Sequence, residues 1–195
     1  MCSVAVHRQI EQQAAARGDR PALIDETRSL SYRELNQRAN ALARALFLHG
    51  FRRGHVAVVN MPKTIDLAVV CLAVLKAGGA YTWIDNDPRW PDGVSFAQGA
   101  ADEEAPYVAI DLRTVLTAAP MQTPNLPIVT RGSDTACVIN GASGEPLLVP
   151  HGTITALQRD ALEHVAWSDD LLNVWIGLMG GAAVTLAPAA ALSAA

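Results

Sequence analysis

Residues 55–85 read HVAVVNMPKTIDLAVVCLAVLKAGGAYTWID, and this stretch decides the fold class. His55–Asn60 is almost wholly apolar, as a strand covered on both faces would be. Thr64–Ala77 is apolar nearly all round, which predicts a buried helix, and Gly78 with Gly79 ends it. Tyr81–Asp85 reads as the next strand. Strand, buried helix and strand in one continuous run make a βαβ unit, and such units imply a parallel sheet.

The alternation continues on both sides. Val4–Arg17 reads as a helix stopped by Gly18. Pro21–Asp25 is a short strand with Leu30 in its hairpin partner. Ser31 caps a long helix, Tyr32–His49, and Glu34 three residues on completes a capping box. Leu35, Leu42 and Leu46 give that helix one apolar stripe. Downstream, Asn86–Gly93 holds two prolines and reads as a loop, with Asp85, Asp87, Arg89 and Asp92 solvated. Val94–Glu104 reads as a weak helix, Tyr107–Asp111 as a strand, and the proline-rich Ala118–Ser133 as a long connection. Ala136–Ile139 is a strand, Asn140–Pro146 a loop and Leu147–Val149 a returning strand. Two helices, Gly152–Val165 and Leu171–Met179, precede a last strand, Ala183–Leu186. The expectation is an α/β fold: a doubly wound, mainly parallel sheet with helices on both faces. It is read as one domain over 1–188, with an Ala-rich tail over 189–195.

Composition narrows the function. Half of the 195 residues are apolar but only 5% are aromatic, and 34 are alanine. That excludes a disordered chain. Fifteen Lys and Arg against nineteen Asp and Glu give a net charge of −4, which argues against a nucleic-acid surface. Cys2, Cys71 and Cys137 lie far apart, against a disulfide framework or a zinc site, and they fit a reducing cytoplasm. His7, His49, His55, His151 and His164 have no metal-ligand spacing, so no metal is expected. The N-terminus MCSVAVHRQIEQQ lacks the basic and apolar regions of a signal peptide. Leu171–Ala195 carries no charge, yet Asn173, three glycines and Pro188 interrupt it. It is read as a buried helix and strand rather than a membrane span, and as the leading surface for association.

Three segments carry a family resemblance: LSYRELNQRANALARAL (30–46), LKAGGAYTWID (75–85) followed by DPRWP, and ACVINGASGEPLLVPHG (136–152). WIGLMGGAAVTLAP (175–188) adds a fourth. In this order they resemble the opening motifs of adenylate-forming, AMP-binding enzymes, most of all the adenylation domains of nonribosomal peptide synthetases. The resemblance implies that the first two motifs are structural, with Lys76 a partner for a helix C-terminus. It also implies that the third is the loop around the ATP phosphates. Such a loop needs glycines for close backbone approach, amides and hydroxyls for phosphate oxygens, and a cation. Gly141, Ser143 and Gly144 are the candidate nucleotide contacts.

The loop departs from the family pattern. Ala142 takes a hydroxyl position, Glu145 adds a negative charge, and Leu147 stands where the lysine is expected. The segment between Ile139 and Pro150 is also shortened. Losing one cation against phosphate costs about 1.5–3 kcal/mol. The family's adenine, ribose and amino-acid pockets and its second lysine do not follow Pro188. The chain therefore reads as a truncated N-terminal adenylation subdomain with a degenerate phosphate loop. No cofactor is expected, with ATP and magnesium bound only if the loop still takes nucleotide. No catalytic residue is assigned. Ser143 with His151 does not match a nucleophile elbow, His151 reads as a surface or capping residue and Cys137 as a small core residue. The expected role is an auxiliary or partner-binding protein of a peptide-synthetase pathway, homo-oligomeric or bound to another protein of that pathway. The rival is an enzyme with a retained cleft and altered chemistry, or one half of a split ligase.

Overall fold

Ser31 caps its helix as the spacing predicts. The Glu34 amide donates to Ser31 Oγ at 3.2 Å, and the Ser31 amide donates to Glu34 Oε2 at 2.8 Å. The Ser31 amide and the Ser31 hydroxyl, which also donates to Oε2 at 2.9 Å, hold the Glu34 carboxyl below its usual range. The helix buries Leu35, Ala39, Leu42 and Leu46 along one side. Replacing Ser31 with Ala should cost about 1 kcal/mol, read as a lowered urea midpoint at unchanged slope.

The computed structural model describes residues 4–84, 93–97, 107–110, 123–140, 145–160 and 171–186. In chain order the elements are α1 (Val6–Arg17), β1 (Pro21–Ile24), β2 (Ser29–Ser31), α2 (Tyr32–Leu48), β3 (Val56–Asn60), α3 (Ile65–Lys76) and β4 (Ala80–Ile84). There follow β5 (Gly93–Ala97), β6 (Tyr107–Ile110), β7 (Thr135–Asn140), β8 (Pro146–Pro150), α4 (His151–Asp160), α5 (Leu171–Gly180) and β9 (Val184–Thr185).

The βαβ unit forms as its sequence reads. α3 is buried all round, and β3 pairs parallel with β4 from Val56↔Ala80 to Asn60↔Ile84. Gly78 turns the chain at φ 80°. A Cβ on Gly79 would lie 2.3 Å from the Phe51 ring, so only glycine fits there. The second motif is thus accounted for by packing.

The six-stranded sheet has the order β6-β5-β3-β4-β7-β8. Its centre, β3-β4-β7, is parallel, whereas β5, β6 and β8 join it antiparallel. The α/β class holds, but the sheet is mixed rather than mainly parallel. The expected helix Val94–Glu104 is corrected at its start: Gly93–Ala97 is a strand, with Val94, Ser95 and Phe96 all buried, so both of its faces are covered there. Tyr107–Ile110 is the expected strand, in the antiparallel sense. Val184–Thr185 does not join this sheet. It pairs parallel with β1 in a separate three-stranded sheet, β2-β1-β9.

The described helices form one layer. α1 packs on α2, α3, α4 and α5, and α2 packs on α3. That layer covers the sheet face bearing Ala57, Val59, Tyr81, Phe96 and Cys137, all buried. Among the described residues no helix lies on the opposite face, where helices were also expected. Val56 and Leu148 stand 43% and 60% exposed there. α5 corrects a further expectation. Leu171, Val174, Trp175, Leu178 and Met179 are buried in the core, so that side of α5 is interior, and only the half-buried side with Leu172 and Ile176 is left for association.

Candidate functional site

The phosphate-loop candidates Gly141, Ser143 and Gly144 lie outside the described residues, as do Ala142 and the polar loop at Asp85, Asp87, Arg89 and Asp92. Their frame is described. β7 and β8 pair antiparallel out to Asn140↔Pro146, so the loop joins the two strands of a hairpin. Glu145 is exposed at its end. Leu147 faces Ile139 across the ladder and is 54% exposed. The position where the family resemblance implies a lysine therefore offers an open apolar side chain.

Beside the hairpin, at the C-terminal ends of β4 and β7, is a small cavity of about 110 Å³. Carboxyl ends of parallel strands are where open α/β sheets place ligands. Its walls are Tyr81, Trp83, Cys137, Ile139, Leu171 and Leu172, with Thr82 and Val138. None of these described residues carries a charge. The Trp83 indole N–H donates to the Met61 carbonyl at 2.9 Å, which fixes that wall. Among the described residues, neither these walls nor the flanking Glu145 and Leu147 offer a cation to a phosphate.

The other polar residues singled out in the sequence have packing roles. Cys137 is buried in the core, as expected. Lys76 is not merely a partner for its helix end. It is buried and reaches α1, where Nζ pairs with Glu11 Oε1 at 2.5 Å, and Arg8 Nη1 holds Glu11 Oε2 at 2.8 Å. Burial lowers the Lys76 pKa to about 8 although Glu11 pulls it up. His151 is not at the surface, as one of its two expected roles had it, but is a fully buried cap: the Val6 amide at the start of α1 donates to its Nδ1 at 3.3 Å. The His7 ring stands edge-on to it at 5.7 Å. The sequence reading missed this meeting of α1, α3 and α4, since nothing local links positions 7, 76 and 151.

A larger depression of about 600 Å³ opens on the sheet face where no described helix lies. Arg53, Gly54, Val56, Gly78, Asp134 and Leu148 are among its lining residues. Arg53 and Asp134 pair at 2.8 Å on its rim.

Comparison with known proteins agrees with the architecture. Residues 10–123 match the family described as AMP-binding enzyme. Tyrocidine synthase 1 of Brevibacillus parabrevis is 49% identical over 81 residues, which are 42% of this chain and 7% of that protein. The dimodular nonribosomal peptide synthase of Bacillus subtilis (strain 168) is 34% identical over 184 residues, 80% of this chain and 8% of that protein. The chain thus spans less than a tenth of the length of either relative. The N-terminal subdomain of Klebsiella oxytoca NpsA superposes with a TM-score of 0.73 at 22% identity, covering 94% of this chain and 55% of that one. No helix among the described residues is long and apolar enough to cross a membrane.

Proposed function

The chain belongs to the AMP-binding enzyme family, and from that premise we propose that these 195 residues are a partner-binding, non-activating part of a nonribosomal peptide-synthetase adenylation unit. The observation that carries this reading is the pair of exposed apolar side chains on the sheet face where no described helix lies, at the end away from the buried Asn60 and Ser95. Val56 and Leu148 are exposed there, beside the half-buried Val58, Thr82 and Val138. Apolar sheet surface in water marks a contact. The solved NpsA subdomain has nearly as much chain again as the part that matches here. The proposed occupant is a peptide-synthetase segment corresponding to that further part of the subdomain, on this chain or on another. A second copy of this chain is the competing occupant, and light scattering of the chain alone distinguishes it.

Without such a partner, the residues present do not form aminoacyl adenylates. Adenylate formation depends on positioned cations and donors on the phosphates. Glu145 and Leu147 work against both. The expected result is no amino-acid-dependent ATP–pyrophosphate exchange from the purified chain. Robust exchange that disappears in Ser143→Ala would overturn the proposal and favour an enzyme acting alone.

A further inference from the structure

We propose that the buried pair His7 and His151 is an acid-sensitive latch that releases α1 from the rest of the fold under mildly acidic conditions. The geometry requires His151 to be neutral. That ring is fully buried and accepts the Val6 N–H on Nδ1, so this nitrogen carries a lone pair and no proton. Ala5, the residue before α1, provides no side-chain cap, so the imidazole of a residue 145 positions away from Val6 takes its place. Protonation at Nδ1 would abolish that bond. It would also put a positive charge at the positive end of the α1 dipole.

The surroundings make a charge on either ring harder to hold. His7 Nδ1 and His151 Nε2 are buried without a hydrogen-bond partner. On α1 the neighbouring charges are Arg8 and Glu11, and on α3 the charge is Lys76, which with Arg8 already engages Glu11. On α2, Glu34 is held in the capping box and Arg33 pairs with Asp19. Before β7 the nearby acid is Asp134, already paired with Arg53. Residues 151–157 of α4 and all of α5 add no other charged group. Burial, the neighbouring ring and then Lys76 and Arg8 push the His7 pKa down, and burial lowers that of His151 to about 4 despite Asp134.

The sign follows from linkage. Both rings take up protons readily only when α1 is open, so stability is complete above the ordinary histidine pKa and falls as pH drops through about 6.5 toward the folded value. From pH 7 to pH 5 the opening constant of α1 should rise about 25-fold if one ring titrates and about 600-fold if both do. Hydrogen exchange on the intact chain, corrected for intrinsic rates, measures this. Protection should fall in residues 6–17 while α2 keeps its own, and the double variant His7→Gln, His151→Asn should lose the pH response. Equal loss in α1 and α2, or an unchanged response in the double variant, would overturn the proposal. If the variant does not fold, NMR titration of the two rings in the unaltered chain decides. Both should stay neutral at pH 6 in the folded protein, and a midpoint near the ordinary value of about 6.5 with α1 still protected would refute the latch.

Discussion

Glu11→Ala should destabilise the protein by about 3–5 kcal/mol at pH 7, because it leaves the Lys76 ammonium buried without its counter-ion. Lys76 is fully buried, and its contact to Glu11 Oε1 bridges α1 and α3. The Asn125 side chain still accepts from Nζ at 3.3 Å, which does not neutralise the charge. The pH dependence identifies the cause. The Lys76 pKa is already lowered to about 8, and the variant removes an interaction that raises it. With the folded pKa further below the unfolded value of 10.5, the unfolded state binds more protons, so the variant regains stability as pH rises. The deficit should therefore be smaller at pH 9 than at pH 7. Glu11→Leu combined with Lys76→Met should recover most of the loss, since apolar replacement of a buried pair is often neutral. Urea unfolding of the parent, the single variant and the double variant at both pH values checks this. A loss under about 1 kcal/mol in Glu11→Ala would show that water reaches the pair.

The parts of the fold legible in the sequence are those written in short-range patterns. Ser31 and Glu34 are three residues apart, and their capping box formed as spaced. The run from His55 to Asp85 carried its own strand, helix and glycine signals. What escaped depends on partners distant in sequence. Val94, Ser95 and Phe96 favour a strand because β3 lies on one side and β6 on the other, and a helical reading of that stretch sees neither. The antiparallel sense of β5, β6 and β8 is likewise set by tertiary pairing and not by composition. At the site, the loop candidates Gly141, Ser143 and Gly144 lie outside the described residues, and only the flanking Glu145 and Leu147 are described, both exposed. Nothing in the sequence signalled the cluster at His7, Lys76 and His151, whose members come from three separate helices.

Trp175→Ala should cost about 3–5 kcal/mol, and the result bears on how the uncharged segment is used. The side chain is fully buried, and its indole N–H donates to the Tyr81 hydroxyl at 2.6 Å. The two rings meet edge-on at 6.3 Å, so α5 is fastened directly to the central strand β4. Truncation removes the ring's packing, the hydrogen bond and part of the wall between α5 and the sheet. Trp175→Phe keeps most of the apolar volume and loses the donor, so it should cost about 1–2 kcal/mol. The two values together separate packing from hydrogen bonding. An α5 used as an exposed docking helix would tolerate either change within about 0.5 kcal/mol while losing association. A small stability change with altered size by light scattering would therefore move the contact surface from the Val56 and Leu148 face to α5. A large change in stability fixes the Trp175 side of α5 in the core and leaves the Val56 and Leu148 face as the proposed contact surface.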